Sequence, residues 1–451
     1  MKIVGGTKKK LAASLLLTGL SVGVSCVPTA PTEAPPREKK RRQADAITVF
    51  ITGNTLGELK PCGCFGGQLG GFDRRPAVFN TVPAEERLIM DAGSLVKGDA
   101  EQDLIKFNIS IQAFSILGYN VVNLTAKDVE ISENLGLLDE PVIGFISPHT
   151  TGETIGRRFQ SQYVLKGVPI TLCVVTHDLD ASSVAQIRGV FGPVKPGHKQ
   201  INILIVNRCD NGVVASVAAM GLVDCLVCPT ESDEPMILSE PDRKPLAFSV
   251  GRYGRYVCKL QIRAARARDE LKLSFDAVPV TEDLEQGVSM TSLYKDYQQL
   301  VREAGLLEKY PRYGLPGGLE YAGSKSCMPC HAYEYEKWNS KAHARAFATL
   351  ARVGSNFDPE CVVCHVVGME YESGFVTQDK TGHLKDVGCE NCHGPGSEHI
   401  RTRGTAQLTE PKSTCLDCHT PAHSGDYAGN ERAFREKITH WREPNAAGNV
   451  K

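Results

Sequence analysis

The pattern Cys-x-x-Cys-His occurs four times within 93 residues: Cys327/Cys330/His331, Cys361/Cys364/His365, Cys389/Cys392/His393 and Cys415/Cys418/His419. Chance placement of 16 Cys and 12 His over 451 residues would give about 0.015 such motifs. The spacing has a chemical reading. Two thiols within one turn add to the two vinyl groups of a haem, and the adjacent histidine meets the iron from the proximal face. A zinc ribbon also pairs Cys-x-x-Cys knuckles, but it leaves four histidines without a reason. A pure disulfide scaffold is the other alternative. The expectation is four covalently attached c-type haems, with His331, His365, His393 and His419 as proximal iron ligands.

Composition points the same way. Residues 320–451 hold only 18 Leu, Ile, Val and Phe in 132 positions, about 14%, which is below the level of a self-supporting core. Their 15 basic and 17 acidic side chains nearly balance, so charge does not explain the deficit. Four porphyrins would supply the missing apolar mass.

Five further histidines lie in this third of the chain: His343, His383, His399, His423 and His440. His343 falls partway along a predicted helix, "YEYEKWNSKAHARAFATL" (333–350), whose alanines would let a porphyrin approach. His399 cannot easily serve the haem at Cys389/Cys392, because six residues would have to pass round the porphyrin edge. A neighbouring haem is the simpler target. His440 lies near the end of a predicted final helix. These three are the expected distal ligands. His423, close to its own attachment site, and His383, in a turn-like "TGH", are further candidates. One iron of the four is then left in doubt, and an open iron could bind a small molecule.

The stretches "YAGSKSCMPCH", "WNSKAHARAF", "VGCENCHGPGSEH" and "CLDCHTPAHSGDY…ITH" together resemble the tetrahaem cytochrome family typified by the electron carrier of ammonia-oxidising bacteria. The resemblance covers about residues 319–443. It implies a mostly α-helical domain with closely packed haem pairs, mostly bis-histidine ligation with one haem open, and electron transfer between redox partner proteins. By that likeness His343, His399 and His440 fall where the family has distal ligands.

Residues 46–285 have another texture. Short β-rich runs ("AITVFIT", "RLIMDAG", "NVVNLT", "PVIGFIS", "PITLCVV", "INILIVN", "LVDCLVC") alternate with helical and loop segments. "PLAFSVGRYGRYVCKLQIRA" followed by "DELKLSFDAVPV" reads as a strand and then a hairpin, so the arrangement is α/β with an antiparallel closing element. Residues 290–310 read as a helix, and "PRYGLPGG" reads as the linker into the haem domain at 319–451.

This region is similar to the metallophosphoesterase domain of the 5′-nucleotidase type, a mixed-sheet sandwich. The likeness lies in "GNTLGE", "GGQLGGFDRR", "LIMDAGSLVKGD" and "GRYGRYVCKL". The active family's first Asp and His fall here at Asn54 and Leu56. Its Asp-x-Gly-Asp becomes Asp91-Ala92-Gly93-Ser94. No histidine stands near Thr125–Asp128 or after "LVDCLVCPTES". A two-metal hydrolase needs those groups, so the resemblance implies a fold retained without hydrolysis. Disulfide pairing of Cys62 or Cys64 with Cys225 or Cys228 is expected, with a four-thiolate metal site as the sharper alternative, in which Cys209 is also a candidate. Cys173 and Cys258 read as buried packing residues.

The chain begins with Lys8–Lys10 and an apolar run from Leu11 to about Val24, which reads as a secretory signal (1–26) ending at Cys26, the site of acylation in a lipoprotein. Residues 27–45 read as a disordered tether whose basic run, Arg37–Arg42, is a solvated charge. A net charge of −1 gives no reason to expect a nucleic acid partner. The sequence therefore describes an exported, periplasmic or cell-surface cytochrome, lipid-anchored to a membrane, that passes electrons between redox partners. A redox enzyme using an open haem is the alternative, and a phosphoesterase a more distant one.

Overall fold

The computed structural model describes residues 45–61, 66–138, 143–149, 155–179, 183–194, 196–229, 231–240, 243–264, 271–409, 415–421 and 423–440. The leader, Cys26, the tether, Cys62 and Cys64 lie outside the described residues. Among those described, no helix is long and apolar enough to cross a membrane.

In chain order the first two-thirds comprise β1 (Ile47–Thr52), α1 (Arg75–Phe79), β2 (Arg87–Asp91), α2 (Glu101–Leu117), β3 (Val121–Asn123), α3 (Ala126–Asn134), β4 (Gly144–Ile146), β5 (Arg158–Leu165) and β6 (Val168–His177). There follow α4 (Ser183–Phe191), β7 (Lys199–Val206), α5 (Asn211–Met220), β8 (Cys225–Cys228), β9 (Leu246–Ser249), β10 (Tyr256–Ala264), β11 (Leu271–Pro279), α6 (Val288–Ala304) and α7 (Leu306–Lys309). The strands form two mixed sheets, ordered β11-β10-β1-β2-β3-β4 and β5-β6-β7-β8-β9. Parallel pairs run through the centres, and β10–β11 is the antiparallel hairpin expected to close the region.

Side-chain alternation explains why two sheets stack. Ile47, Val49 and Ile51 of β1 point to one face, and Ile201, Ile203 and Ile205 of β7 meet them in one buried cluster. Phe50, on the opposite face of β1, joins Phe107 and Phe114 of α2. Leu204 and Val206, on the opposite face of β7, join Ile187 of α4 and Val217 of α5. The central strands of both sheets are thus buried on both faces, giving helix, sheet, sheet and helix layers.

The helix expected at 290–310 is broken. α6 ends at Gly305, whose φ of 64° gives the left-handed cap that glycine accepts without strain. Its Met290, Leu293, Tyr297 and Val301 follow helical spacing and pack into the first sheet's core. β5 was not foreseen. It is an edge strand whose alternate residues, Arg158 to Val164, face water, so no apolar run marks it.

The cysteine expectation needs correction. Cys228, at the end of β8, is bonded to Cys209 in the loop after β7 and therefore not to Cys62 or Cys64. Cys225 is a free thiol buried between the sheets, pushed up by burial. Cys173 and Cys258 are buried free thiols. The bridge closes a sequence separation of 19. Cys209→Ser is expected to cost about 3 kcal/mol by the loop-entropy estimate, read as a lowered midpoint in denaturant unfolding.

The last third is helical: α8 (Ala332–Asn339), α9 (Ala346–Val353), α10 (Pro359–Val362), α11 (Gln378–Thr381), α12 (Cys389–His393), α13 (Ser397–Arg401), α14 (Cys415–Cys418) and α15 (Glu431–Ile438). The single helix expected at 333–350 is instead α8, a 3-10 turn over Ala342–Arg345, and α9. Ser340 Oγ donates to Lys337 O at 2.7 Å and Trp338 Nε1 to Val387 O at 2.9 Å, holding the chain out of the helix there. His343 therefore sits on a turn between two helices. The apolar core of this segment is one cluster of nine residues around Phe347, Val366 and Phe375.

Candidate haem sites

Each Cys-x-x-Cys-His motif occupies about one helical turn. His331 N donates to Cys327 O at 3.0 Å and His419 N to Cys415 O at 2.8 Å, which puts each motif's two thiols on one side. Cys389 N donates to Ser324 Oγ, three residues before Cys327, at 3.1 Å, and Cys418 Sγ donates to Cys364 O at 3.9 Å. The first motif thus lies against the third, and the second against the fourth.

Cys330 differs from the other motif cysteines in its burial. It is exposed, whereas Cys327 and the six cysteines of the other motifs are half-buried. The reason lies in the turn that carries it. Cys327 is tucked against Cys389, and Met328, Pro329 and Cys330 form the outer side of that turn, all exposed. The polypeptide alone therefore does not enclose Cys330. The turn still keeps it three residues from Cys327, with Cys330 N donating to Cys327 O at 3.3 Å, as attachment to a surface haem requires.

Three motif histidines face a second imidazole. The ring centroids of His331 and His399 are 6.1 Å apart, those of His343 and His419 6.3 Å, and those of His393 and His440 6.4 Å. Two imidazoles on opposite sides of one metal ion, each bonded at about 2.0 Å through a nitrogen about 1.1 Å from its ring centre, have centroids about 6.2 Å apart. His399 thus stands across from the first motif's histidine and not from His393, six residues before it.

The other ring nitrogens are occupied in a way that suits metal binding. Nδ1 of His365 lies 2.7 Å from Ala346 O, that of His399 2.7 Å from Ala406 O and that of His440 3.0 Å from Ile438 O. A carbonyl only accepts, so each Nδ1 carries the proton, the tautomer in which Nε2 has the lone pair that a metal takes. His419 Nδ1 is 2.9 Å from Ser424 Oγ. Burial lowers the proton affinity of His343, His365, His393 and His419, which favours the neutral imidazole that ligation requires. The residues present fit haem iron.

His365 differs from the other motif histidines. All 12 histidines lie among the described residues, and none is paired with the His365 ring as the other three pairs are. It lines a cavity of about 990 Å³ shared by the second and fourth motifs, at the top of the ligand-pocket range of about 300–1,000 Å³. His423 lines the same cavity, but its side chain is exposed and its Nδ1 is 2.8 Å from Thr420 Oγ1. His383 is exposed on a 3-10 turn over Gly382–Leu384. Neither faces a motif histidine.

The N-terminal domain supplies part of the cavity wall, which sequence reasoning missed. Gly57–Lys60, Lys106 and Tyr294 line it. Asp358 caps α10 and accepts from Tyr297 Oη and Gln102 Nε2, both at 2.8 Å, while Lys106 pairs with Glu360. The only advance signal was Asp-Pro-Glu before Cys361, an N-cap followed by a helix-starting proline.

At the positions expected to have lost metal ligands, Asn54, Leu56 and Ser94 have φ of 49°, 53° and 61°, the left-handed region. Asn54 N donates to Gly93 O at 2.8 Å and Leu56 N to Ser94 O at 3.1 Å. Asp91 accepts from Thr52 Oγ1 at 2.6 Å and Gly93 N at 2.8 Å, and burial pushes its carboxyl up to about 6. Asp128 accepts from Ser94 N and Leu95 N and caps α3 together with Thr125.

Residues 326–394 match the family described as cytochrome c554 and c-prime, so the chain carries a cytochrome c554 domain there. Cytochrome c-554 of Nitrosomonas europaea is 34% identical over 97 residues, which make up 18% of this chain and 41% of that protein. The chain thus spans about two-fifths of the length of the curated relative it matches. A domain of this family implies covalent c-type haems. Among solved structures, the 5′-nucleotidase precursor of Thermus thermophilus is 14% identical, with a TM-score of 0.45 and 68% of each chain covered. The calcineurin-like phosphoesterase YfkN of Bacillus subtilis is 10% identical, with a TM-score of 0.45, 57% of this chain and 98% of that chain covered.

Proposed function

We propose that the protein is an exported tetrahaem c-type cytochrome that carries electrons between respiratory redox partner proteins, held at a membrane by a lipid on Cys26. The observation that carries the reading is the set of three imidazole pairs at 6.1–6.4 Å, each containing one motif histidine. In this reading His399, His440 and His343 are the distal ligands for the first, third and fourth haems. Bis-imidazole iron changes oxidation state with little rearrangement and leaves no position for substrate, which suits a carrier. The contacts between first and third and between second and fourth motifs bring the haems into two pairs. The two-sheet region is read as a phosphoesterase-type domain without hydrolysis, because Leu56 and Ser94 cannot replace an imidazole and a bridging carboxylate.

A second reading is favoured at one site. His365 has no facing imidazole among the 12 histidines, so the second haem keeps a free position for a small nitrogen or oxygen species. Haem bound there supplies one-electron chemistry, and the chain's residues hold it and set what reaches it.

The test is a haem count with spin-state spectroscopy on the purified oxidised protein. Four haems per chain are expected, three low-spin and one high-spin. Four low-spin haems would reject the open site, and fewer than four haems would reject the tetrahaem reading.

A further inference from the structure

The second motif is built into the N-terminal domain, not merely placed beside it. Gln102 of α2 and Tyr297 of α6 hold the cap of α10, and Lys106 of α2 holds Glu360 on the same turn as Cys361. The first loop of the N-terminal domain is drawn into the same cavity. Its backbone is fixed there: Leu56 N and Gly57 N donate to Ser94 O and Leu95 O at 3.1 and 2.7 Å, and Glu58 N donates to Thr55 O at 3.0 Å. Glu58 is therefore set in the wall of the cavity that Cys361, Cys364 and His365 also line.

The charged and titratable groups facing Glu58 are Lys106 of α2, Lys97 of the loop before it, Glu360 of α10, Tyr294 of α6 and His423 after the fourth motif. Lys106 is engaged by Glu360, and the neighbouring Lys60 pairs with Asp73 at 3.0 Å. Burial raises the proton affinity of the Glu58 carboxyl, Lys106 opposes this, and Glu360 reinforces it. A carboxyl so placed responds to a change of charge nearby, because the cavity screens less than water does.

We propose that Glu58 is the proton-exchanging group of the haem site at His365, taking up one proton from solvent when that haem gains one electron from a redox partner. The balance is simple. One electron removes one positive charge at the iron, and one proton neutralises one carboxylate. No bond to the chain is made or broken besides O–H. Reducing a small nitrogen or oxygen species consumes protons with electrons, and this site would supply both, whereas a carrier needs only the second. The inference rests on the reading of an open second haem.

The experiment is a potentiometric titration of the high-spin haem in the full holoprotein between about pH 5 and 8, with carbon monoxide binding measured on the same samples. In the wild type the reduction equilibrium should weaken tenfold per pH unit within the window between the oxidised- and reduced-state proton affinities, a fall of about 59 mV. Glu58→Gln should abolish that slope while leaving the other three haems and carbon monoxide binding unchanged. Glu58→Asp should restore a slope over a shifted window. A slope that persists in Glu58→Gln, carried by Glu360, His423 or a propionate, would overturn the assignment while the open site stands. If the wild type binds no carbon monoxide, the open-site reading fails and takes this inference with it.

Discussion

Made without haem attachment, the chain is expected to lose protection from about residue 319 onward while the two-sheet domain stays folded. The two regions differ in what holds them. The first has buried clusters of 27, 21 and 11 apolar residues, the largest including α6 and Leu306. The haem segment has one cluster of nine, of which Leu307 comes from α7. Its motif cysteines are half-buried or, at Cys330, exposed, and its histidine pairs leave between them the space of a metal ion. With only 18 branched aliphatic and Phe residues in 132, no alternative apolar packing can fill that space. Replacing all eight motif cysteines by alanine should therefore expose the segment to limited proteolysis and leave a resistant fragment ending near Tyr310. Far-UV dichroism should fall mainly in its helical component. Protease resistance equal to that of the holoprotein would mean that the polypeptide contacts, such as Lys106–Glu360 and Tyr297–Asp358, suffice to fold it.

How much could be read in advance differs between the two regions. The core strands were legible because runs such as "INILIVN" are long enough in branched residues to need burial on both faces. Their order in the sheets was not, since it depends on pairings between residues far apart, such as Ile47 with Ile262. β5 escaped because its polar alternation marks an edge. The break before His343 escaped because it depends on Trp338 reaching Val387, a contact across 49 residues. At the candidate haem sites the four motifs were legible as spacings that covalent attachment would need, but the exposure of Cys330 was not, because spacing says nothing of which side of a turn faces water. Which histidine stands opposite which was equally hidden, being a property of the folded chain. The sequence argued against His393 as the facing partner of His399 but did not single out His331. The cavity wall was least legible of all. Lys106 and Glu360 are 254 residues apart, and nothing local to "GELK" marks Glu58 as a neighbour of a haem motif.

Replacing any one of His343, His399 or His440 by alanine is expected to convert one low-spin haem to high-spin and to raise carbon monoxide binding from one to two molecules per reduced chain. The expectation follows from the pairing. In each pair the motif histidine is fixed beside its attached haem by the chain itself, so it stays when the distant partner is removed. The distant partner is held by its Nδ1 contact and its own short element. His399 lies in α13 with Nδ1 2.7 Å from Ala406 O, and His440 lies two residues beyond α15 with Nδ1 3.0 Å from Ile438 O. Alanine leaves a gap at the iron, and the other candidates do not reach it. His383 is exposed, and His423 is exposed and near Thr420. His383→Ala and His423→Ala should therefore leave the count at one. His423 lines the cavity of the second motif, so it provides the sharper control. If His423→Ala alone raised the count from zero to one, His423 would be the ligand of the second haem and the open site would be lost. If His399→Ala opened the third haem instead of the first, the pairing with His331 would be wrong. Combining each histidine variant with cysteine-to-alanine changes in one motif, which removes one haem, identifies which iron each histidine serves.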